Sequence, residues 1–140
     1  GDKFEVVHPT EFLQQLIDDG KLDAPERTGS VTYHDPCYLA RVNGVHQAPR
    51  DLLGDGISEM ERRREKTFCC GAGGGRMWME EEPDQRVSVL RAKEAIETGA
   101  ETVAVGCPFC LTMMTDGVKS CGSGVKVEDV AENLAKRLGL

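Results

Sequence analysis

The chain has 140 residues and a formal net charge of -7, enough length for one domain with its own core and the wrong sign for a nucleic-acid partner. With 29% charged and 39% apolar residues, the composition is that of a folded globular domain and excludes wholesale disorder. Six cysteines are many for a reducing compartment and leave two explanations, disulfides outside the cell or bound metal inside it.

Taken in order, Glu11 to Asp19 is predicted helical: Thr10 can cap it, Phe12, Leu13, Leu16 and Ile17 form an apolar stripe, and Gly20 stops it. Lys21 to Ser30 reads as a turn-rich linker, so residues 1-30 are expected to form an N-terminal helix and linker ahead of one globular unit, 31-140. Val31 to His34 has strand character, and Asp35-Pro36 ends it just before Cys37. Tyr38 to Val45 starts a helix limited by Gly44 and Pro49, and Arg50 to Leu53 forms a short helical turn. A second strand is predicted at Lys66 to Phe68, leading into Cys69. Beyond the glycines, Pro83 opens a helix from Asp84 to Thr98 with Val89, Ala92, Ala95 and Ile96 on one face. Glu101 to Val105 is a third strand running into Gly106 and Cys107, and Pro108 opens the next helix. Val125 to Val127 is the last strand. It precedes a helix in which Asp129 and Glu132 make a capping box and Val130, Leu134 and Leu138 line one face.

Strands alternating with helices predict an α/β, Rossmann-like three-layer domain with a mostly parallel sheet of about four strands. Ligands of such sheets bind outside the carboxyl ends of the strands. Cys37, the pair Cys69-Cys70, and Cys107 each follow a predicted strand directly, so all three are expected on one edge.

The chemistry centres on Thr67-Phe68-Cys69-Cys70-Gly71-Ala72-Gly73-Gly74-Gly75. Adjacent cysteines are poorly disposed to grip one ion but can ligate two irons of a larger cluster. Gly71, Gly73, Gly74 and Gly75 leave clearance for an inorganic core and expose N–H groups to its sulfides. Cys107 and Cys110 lie at a helix start, where free N–H groups and the dipole favour thiolate. His34 and Arg76 are candidate donors to sulfur, Trp78 a shield against water, and Met77 to Met79 the wall of the site. Cys121 is expected as a free loop thiol, His8 and His46 at the surface, and Arg62-Arg63-Arg64 on a solvated face of mixed charge. The glycine run lacks G-x-G-x-x-G spacing, which argues against a dinucleotide loop.

The full pattern is Cys37, 31 residues, Cys69-Cys70-Gly71, 35 residues, then Cys107-Pro108-Phe109-Cys110. It resembles the CCG cysteine-rich domain of heterodisulfide reductases and related iron–sulfur oxidoreductases, over Val31 to Thr115. The words His34-Asp35-Pro36-Cys37-Tyr38-Leu39 and Arg76-Met77-Trp78 look most like membrane-associated iron–sulfur reductases linked to electron-transfer flavoprotein. The resemblance implies a non-cubane [4Fe-4S] cluster held by Cys37, Cys69, Cys70, Cys107 and Cys110. It also implies electron relay towards a membrane quinone pool, with other domains or subunits of a redox complex as partners.

Two other readings of the thiols stay open: a structural or interaction module binding zinc, and a dithiol–disulfide oxidoreductase using Cys107 and Cys110. No apolar core segment follows Gly1-Asp2-Lys3, and the least polar run, Val103 to Met114, is too short to cross a bilayer. The start at Gly1 and the single copy of the motif suggest a C-terminal fragment of a longer protein. The expected location is cytoplasmic, at the membrane face through that parent.

Overall fold

The computed structural model describes residues 4–27 and 29–140; Gly1 to Lys3, and Thr28 inside the expected linker, lie outside the described residues. Among the described residues the sheet has three strands in the order β1 (Val31–His34), β2 (Thr102–Val105), β3 (Lys126–Asp129). All pairings are parallel, with Val31 opposite Thr102 and Thr102 opposite Lys126.

Strand alternation sorts the core into two layers. On one face Val31, Tyr33 and Ala104 pack with Leu52 and Leu53 of α2 (Ala48–Leu53) and Val130 and Leu134 of α5 (Val130–Leu138). Leu13 and Ile17 of α1 (Pro9–Asp18) close that layer, while Phe12 of the expected stripe is exposed. On the other face Val103 and Val105 pack with Ala95 of α3 (Val87–Glu97) and Met113 and Met114 of α4 (Pro108–Ser120). This is the three-layer α/β arrangement that the alternating pattern predicts. Because β1 alternates too, His34 points to the α3–α4 side, opposite Val105 in register.

Four expectations are corrected. The strand at Lys66 to Phe68 does not form, which leaves three strands where about four were expected: a 3-10 turn spans Arg64–Lys66, and the chain runs on without a ladder. The Arg41 guanidinium donates instead to the Thr67 carbonyl within that stretch and to the Glu65 carbonyl just before it, the latter at 3.2 Å. The helix expected from Asp84 begins at Val87, after a 3-10 turn at Pro83–Gln85 and an extended Arg86. The helix from Tyr38 is a single π-helical turn, Tyr38–Val42. Helix α1 is capped by His8 rather than Thr10: the His8 ring accepts from Thr10 N–H, and Glu11 reaches back to the His8 N–H at 3.2 Å. The box at Asp129 forms as predicted, with Ala131 N–H on Asp129 Oδ1 at 2.8 Å and Asp129 N–H on Glu132 Oε2 at 3.1 Å.

Helices α3 and α4 meet at Gly117, where an added Cβ would lie 2.4 Å from the Ser88 carbonyl oxygen and 3.0 Å from Ala92 Cβ. The obstacle is backbone, which cannot swing aside. Gly117→Ala gains up to ~1 kcal/mol of helix propensity but incurs overpacking of about 1–3 kcal/mol. Urea denaturation should therefore show a net loss of about 1–2 kcal/mol, and an increase in stability would contradict the close approach.

Candidate metal centre

The site lies at the carboxyl ends of β1 and β2, and its first cysteine is positioned by a buried carboxylate. Asp35, fully buried one residue beyond β1, takes Arg50 of α2 in a two-pronged ion pair, Nη1–Oδ1 2.7 Å and Nη2–Oδ2 2.8 Å. Glu59 holds the Arg50 Nε at 2.6 Å. Burial alone would lower the Arg50 pKa, but its hydrogen bonds to Asp35 and Glu59 outweigh it and hold the guanidinium above its ordinary value. Asp35 also accepts the Arg64 N–H at 2.8 Å, and its carbonyl accepts the Thr67 hydroxyl at 2.9 Å. One residue thus ties the segment leading to Cys37 to the segment leading to Cys69 and Cys70.

The five motif cysteines line one cavity of about 340 Å³, with Gly73, Gly74 and Gly75 forming part of its wall. Cys37 follows β1, Cys107 follows β2 at the N-cap of α4, and Cys110 occupies the first turn of α4. Cys69 and Cys70 arrive from the Asp35-tethered loop rather than from a strand end. Gly74 and Gly75 hold φ of +66° and +73°, and a Cβ on either would meet nothing within 4 Å. Their requirement is the left-handed backbone that keeps the wall thin. Gly71 is different: it does not line the cavity. Its φ is +94°, and a Cβ there would approach Val87 Cβ at 3.1 Å, so it lets the cysteine loop sit against the start of α3.

The thiols are unequal. The buried Cys110 thiol lies 3.5 Å from the buried Cys70 sulfur. Hydrogen bonding from Cys110 pulls the Cys70 pKa far below the ordinary thiol range against opposing burial, and the His34 ring adds to it. Cys107 is drawn down to about 6, again chiefly by Cys110. Cys110 keeps the proton: its bonds to Cys107 and Cys70, together with burial, push it upward. Burial and then the charges of Cys69 and Cys70 raise Cys37. Cys69 Sγ accepts the Gly71 N–H at 3.2 Å.

Behind Cys70 stands His34, fully buried, with a ring nitrogen grouped with the Cys70 and Cys110 sulfurs within 4.8 Å. Arg91 Nε donates to His34 Nδ1 at 2.9 Å. A guanidinium has donors only, so Nδ1 holds a lone pair; burial keeps the His34 pKa low, and the neutral ring carries its proton on Nε2. Nε2 makes no hydrogen bond among the described residues, and the sulfurs of Cys70 and Cys110 lie within 4.8 Å of the ring.

The other sequence candidates divide. Trp78 lines the cavity mouth and is 83% exposed, beside the exposed rings of Tyr38 and Phe109. Met77 lines the cavity too, whereas Met79 is exposed outside it. Arg76 turns away to pair with Glu81, its Nε 2.6 Å from Oε1, and does not line the cavity. Cys121 stands apart, near the Val89 carbonyl. His8 and His46, expected at the surface, are half-buried: His8 Nε2 contacts the Gly106 carbonyl at 3.1 Å beside Cys107, and the His46 carbonyl accepts from Arg50 at 2.6 Å. Asp35, Arg50 and Arg91 were missed. No local pattern marks them, because their partners lie elsewhere along the chain.

The domain is α/β, with five thiols lining one cavity near the carboxyl ends of parallel strands, a donor set suited to thiolate ligation or redox chemistry. The donor set, the thin glycine wall and the cavity fit an inorganic cluster larger than one ion. Residues 31–115 match the family described as the cysteine-rich domain, CCG, and the chain belongs to that family. It is 45% identical to the probable iron-sulfur-binding oxidoreductase FadF of Bacillus subtilis, over 97% of this chain and 20% of that protein. It is 43% identical to the EtfAB:quinone oxidoreductase of Syntrophomonas wolfei, over 99% and 21%. With one subunit of the dihydromethanophenazine:CoB--CoM heterodisulfide reductase of Methanosarcina barkeri it shares 42% identity, over 98% and 35%. The chain therefore spans about a fifth to a third of these curated relatives' length.

Replacing Arg50 with Met strands Asp35 as a buried, uncompensated carboxylate. The unfolding free energy in urea is expected to fall by about 3–5 kcal/mol. A loss below about 1 kcal/mol, the scale of an exposed pair, would mean that Asp35 does not depend on Arg50.

Proposed function

We propose that this chain is an iron–sulfur electron-transfer domain of a reductase. In this reading Cys37, Cys69, Cys70, Cys107 and Cys110 hold a non-cubane [4Fe-4S] cluster. The observation that carries it is the convergence of five thiols from three separate segments on one cavity, one more than the four that ordinary clusters take. Such a cluster, when bound, supplies an electron carrier whose potential is set by charge, burial and hydrogen bonds to sulfur. The chain's own residues do the rest. Cys70 and Cys107 are predisposed to thiolate, the glycine wall leaves room, and the unpartnered Nε2–H of His34 is available to the Cys70 sulfur. The rings of Tyr38, Trp78 and Phe109 edge the opening, where they limit water and offer a face to a redox partner.

The names of the relatives support a place in a larger redox complex. By that likeness, electrons pass from electron-transfer flavoprotein towards a membrane quinone. No helix among the described residues is long and apolar enough to cross a membrane, so membrane attachment and a cytoplasmic position belong to the parent protein in this proposal.

A zinc reading has one observation in its favour, the grouping of His34, Cys70 and Cys110. It suffers from the same hydrogen bond that orders His34. With Nδ1 accepting from Arg91, the ring would have to lose its remaining proton before Nε2 could ligate. Zinc would thus fall back on four thiolates and leave the fifth unused.

Anoxic purification with iron and sulfide reconstitution separates the two. About four irons and four sulfides per chain are expected, with iron lost on Cys→Ser replacement at any of the five positions and retained in Cys121→Ser. A colourless protein holding zinc and no iron, or full iron in both Cys69→Ser and Cys70→Ser, would overturn the assignment.

A further inference from the structure

Arg91 is a guanidinium with no solvent exposure, a placement that is costly unless every N–H is used. Its Nη1 meets the Arg62 carbonyl and Glu94 Oε2, each at 2.9 Å, and its Nη2 lies 3.5 Å from Thr67 Oγ1. Glu94, which also holds the Arg62 N–H at 2.7 Å, supplies the counter-charge. Those contacts would satisfy a merely structural arginine. The Nε, however, is committed to His34 Nδ1 at 2.9 Å, on a ring that leaves Nε2 unpartnered and lies within 4.8 Å of the Cys70 and Cys110 sulfurs.

The geometry points to Arg91 as a positioning residue that fixes the tautomer of His34, keeps the ring's N–H available to the Cys70 sulfur beside it, and so raises the reduction potential of the bound cluster. The inference rests on the cluster reading above. Reduction adds negative charge that spreads onto the ligand sulfurs, and an N–H donor aimed at one of them stabilises the reduced form more than the oxidised. Without Arg91 a neutral imidazole is free to carry its proton on Nδ1. Nε2 would then turn a lone pair towards Cys70, and an attraction would become a repulsion. Arg91 acts from α3, and nothing in its sequence position, 21 residues after Cys70, marks it as part of the site. What places it there is the alternation of β1, which sends His34 to the α3 side of the sheet.

The test uses the anoxically reconstituted chain, with iron and sulfide content and circular dichroism recorded for each variant. Arg91→Met should keep its cluster and show a potential about 59 mV lower in an EPR-monitored titration, equal to a tenfold loss of preference for the reduced state of a one-electron couple. Arg91→Lys, which keeps a cationic donor, should recover most of that shift. Because Arg91→Met removes a buried residue, pulsed EPR of the reduced, unaltered protein with ¹⁵N-histidine gives an answer that needs no variant. A weakly coupled histidine nitrogen and an exchangeable proton on it, lost in deuterated water, are expected. An unchanged potential in cluster-loaded Arg91→Met, or a histidine nitrogen with no exchangeable proton, overturns the role of Arg91 while leaving the cluster intact. Failure of the unaltered chain to bind iron overturns both the cluster reading and this one.

Discussion

One buried carboxylate, Asp35, is the constraint on which the site depends. A carboxylate with no access to water needs its charge matched and its lone pairs filled. Here Arg50 supplies both prongs, Arg64 supplies a backbone N–H, and Glu59 balances the arginine from the other side. The requirement is electrostatic, but its consequence is topological. Satisfying Asp35 draws together the end of β1, helix α2 and the loop before Cys69, segments that share no strand pairing. The cysteines then arrive at one cavity because the residues just before them are tied to the same group.

A second buried polar chain runs in parallel. Cys70 meets His34, His34 meets Arg91, and Arg91 meets Glu94 near the surface. The two systems touch at Thr67, whose hydroxyl bonds the Asp35 carbonyl and lies near Arg91. The first chain sets where the cysteines are, and the second places a buried histidine beside one of them. Gly117 lets α4, which carries Cys110, close tightly on α3, which carries Arg91.

Much of this was legible in the residues. The β-branched and apolar runs at Val31–His34 and Glu101–Val105 announced two strands, though not that they would be neighbours, and the Asp129–Glu132 box formed as written. The spacing of Cys37, Cys69, Cys70, Cys107 and Cys110 pointed to one shared site because strand ends in a parallel sheet share an edge. The strand at Lys66 to Phe68 failed for a reason that no local pattern contains: a guanidinium from Arg41 claims the Thr67 carbonyl that a ladder would use. Gly71 was grouped with the other glycines by composition, yet its work is packing against Val87. Arg50 and Arg91 look like ordinary surface residues of amphipathic helices until their partners, Asp35 and His34, are known. Long-range pairs between single charges leave no periodicity to read.

The central claim is that five sulfurs from three segments ligate one iron–sulfur core in this cavity. Anomalous diffraction at the iron edge, from crystals of the anoxically reconstituted chain, tests it most directly. The expected result is a single group of iron peaks enclosed by the sulfurs of Cys37, Cys69, Cys70, Cys107 and Cys110, with Gly73 to Gly75 alongside. Iron peaks outside the cavity, a lone metal ion within it, or a core that leaves both Cys69 and Cys70 unbound would contradict the claim.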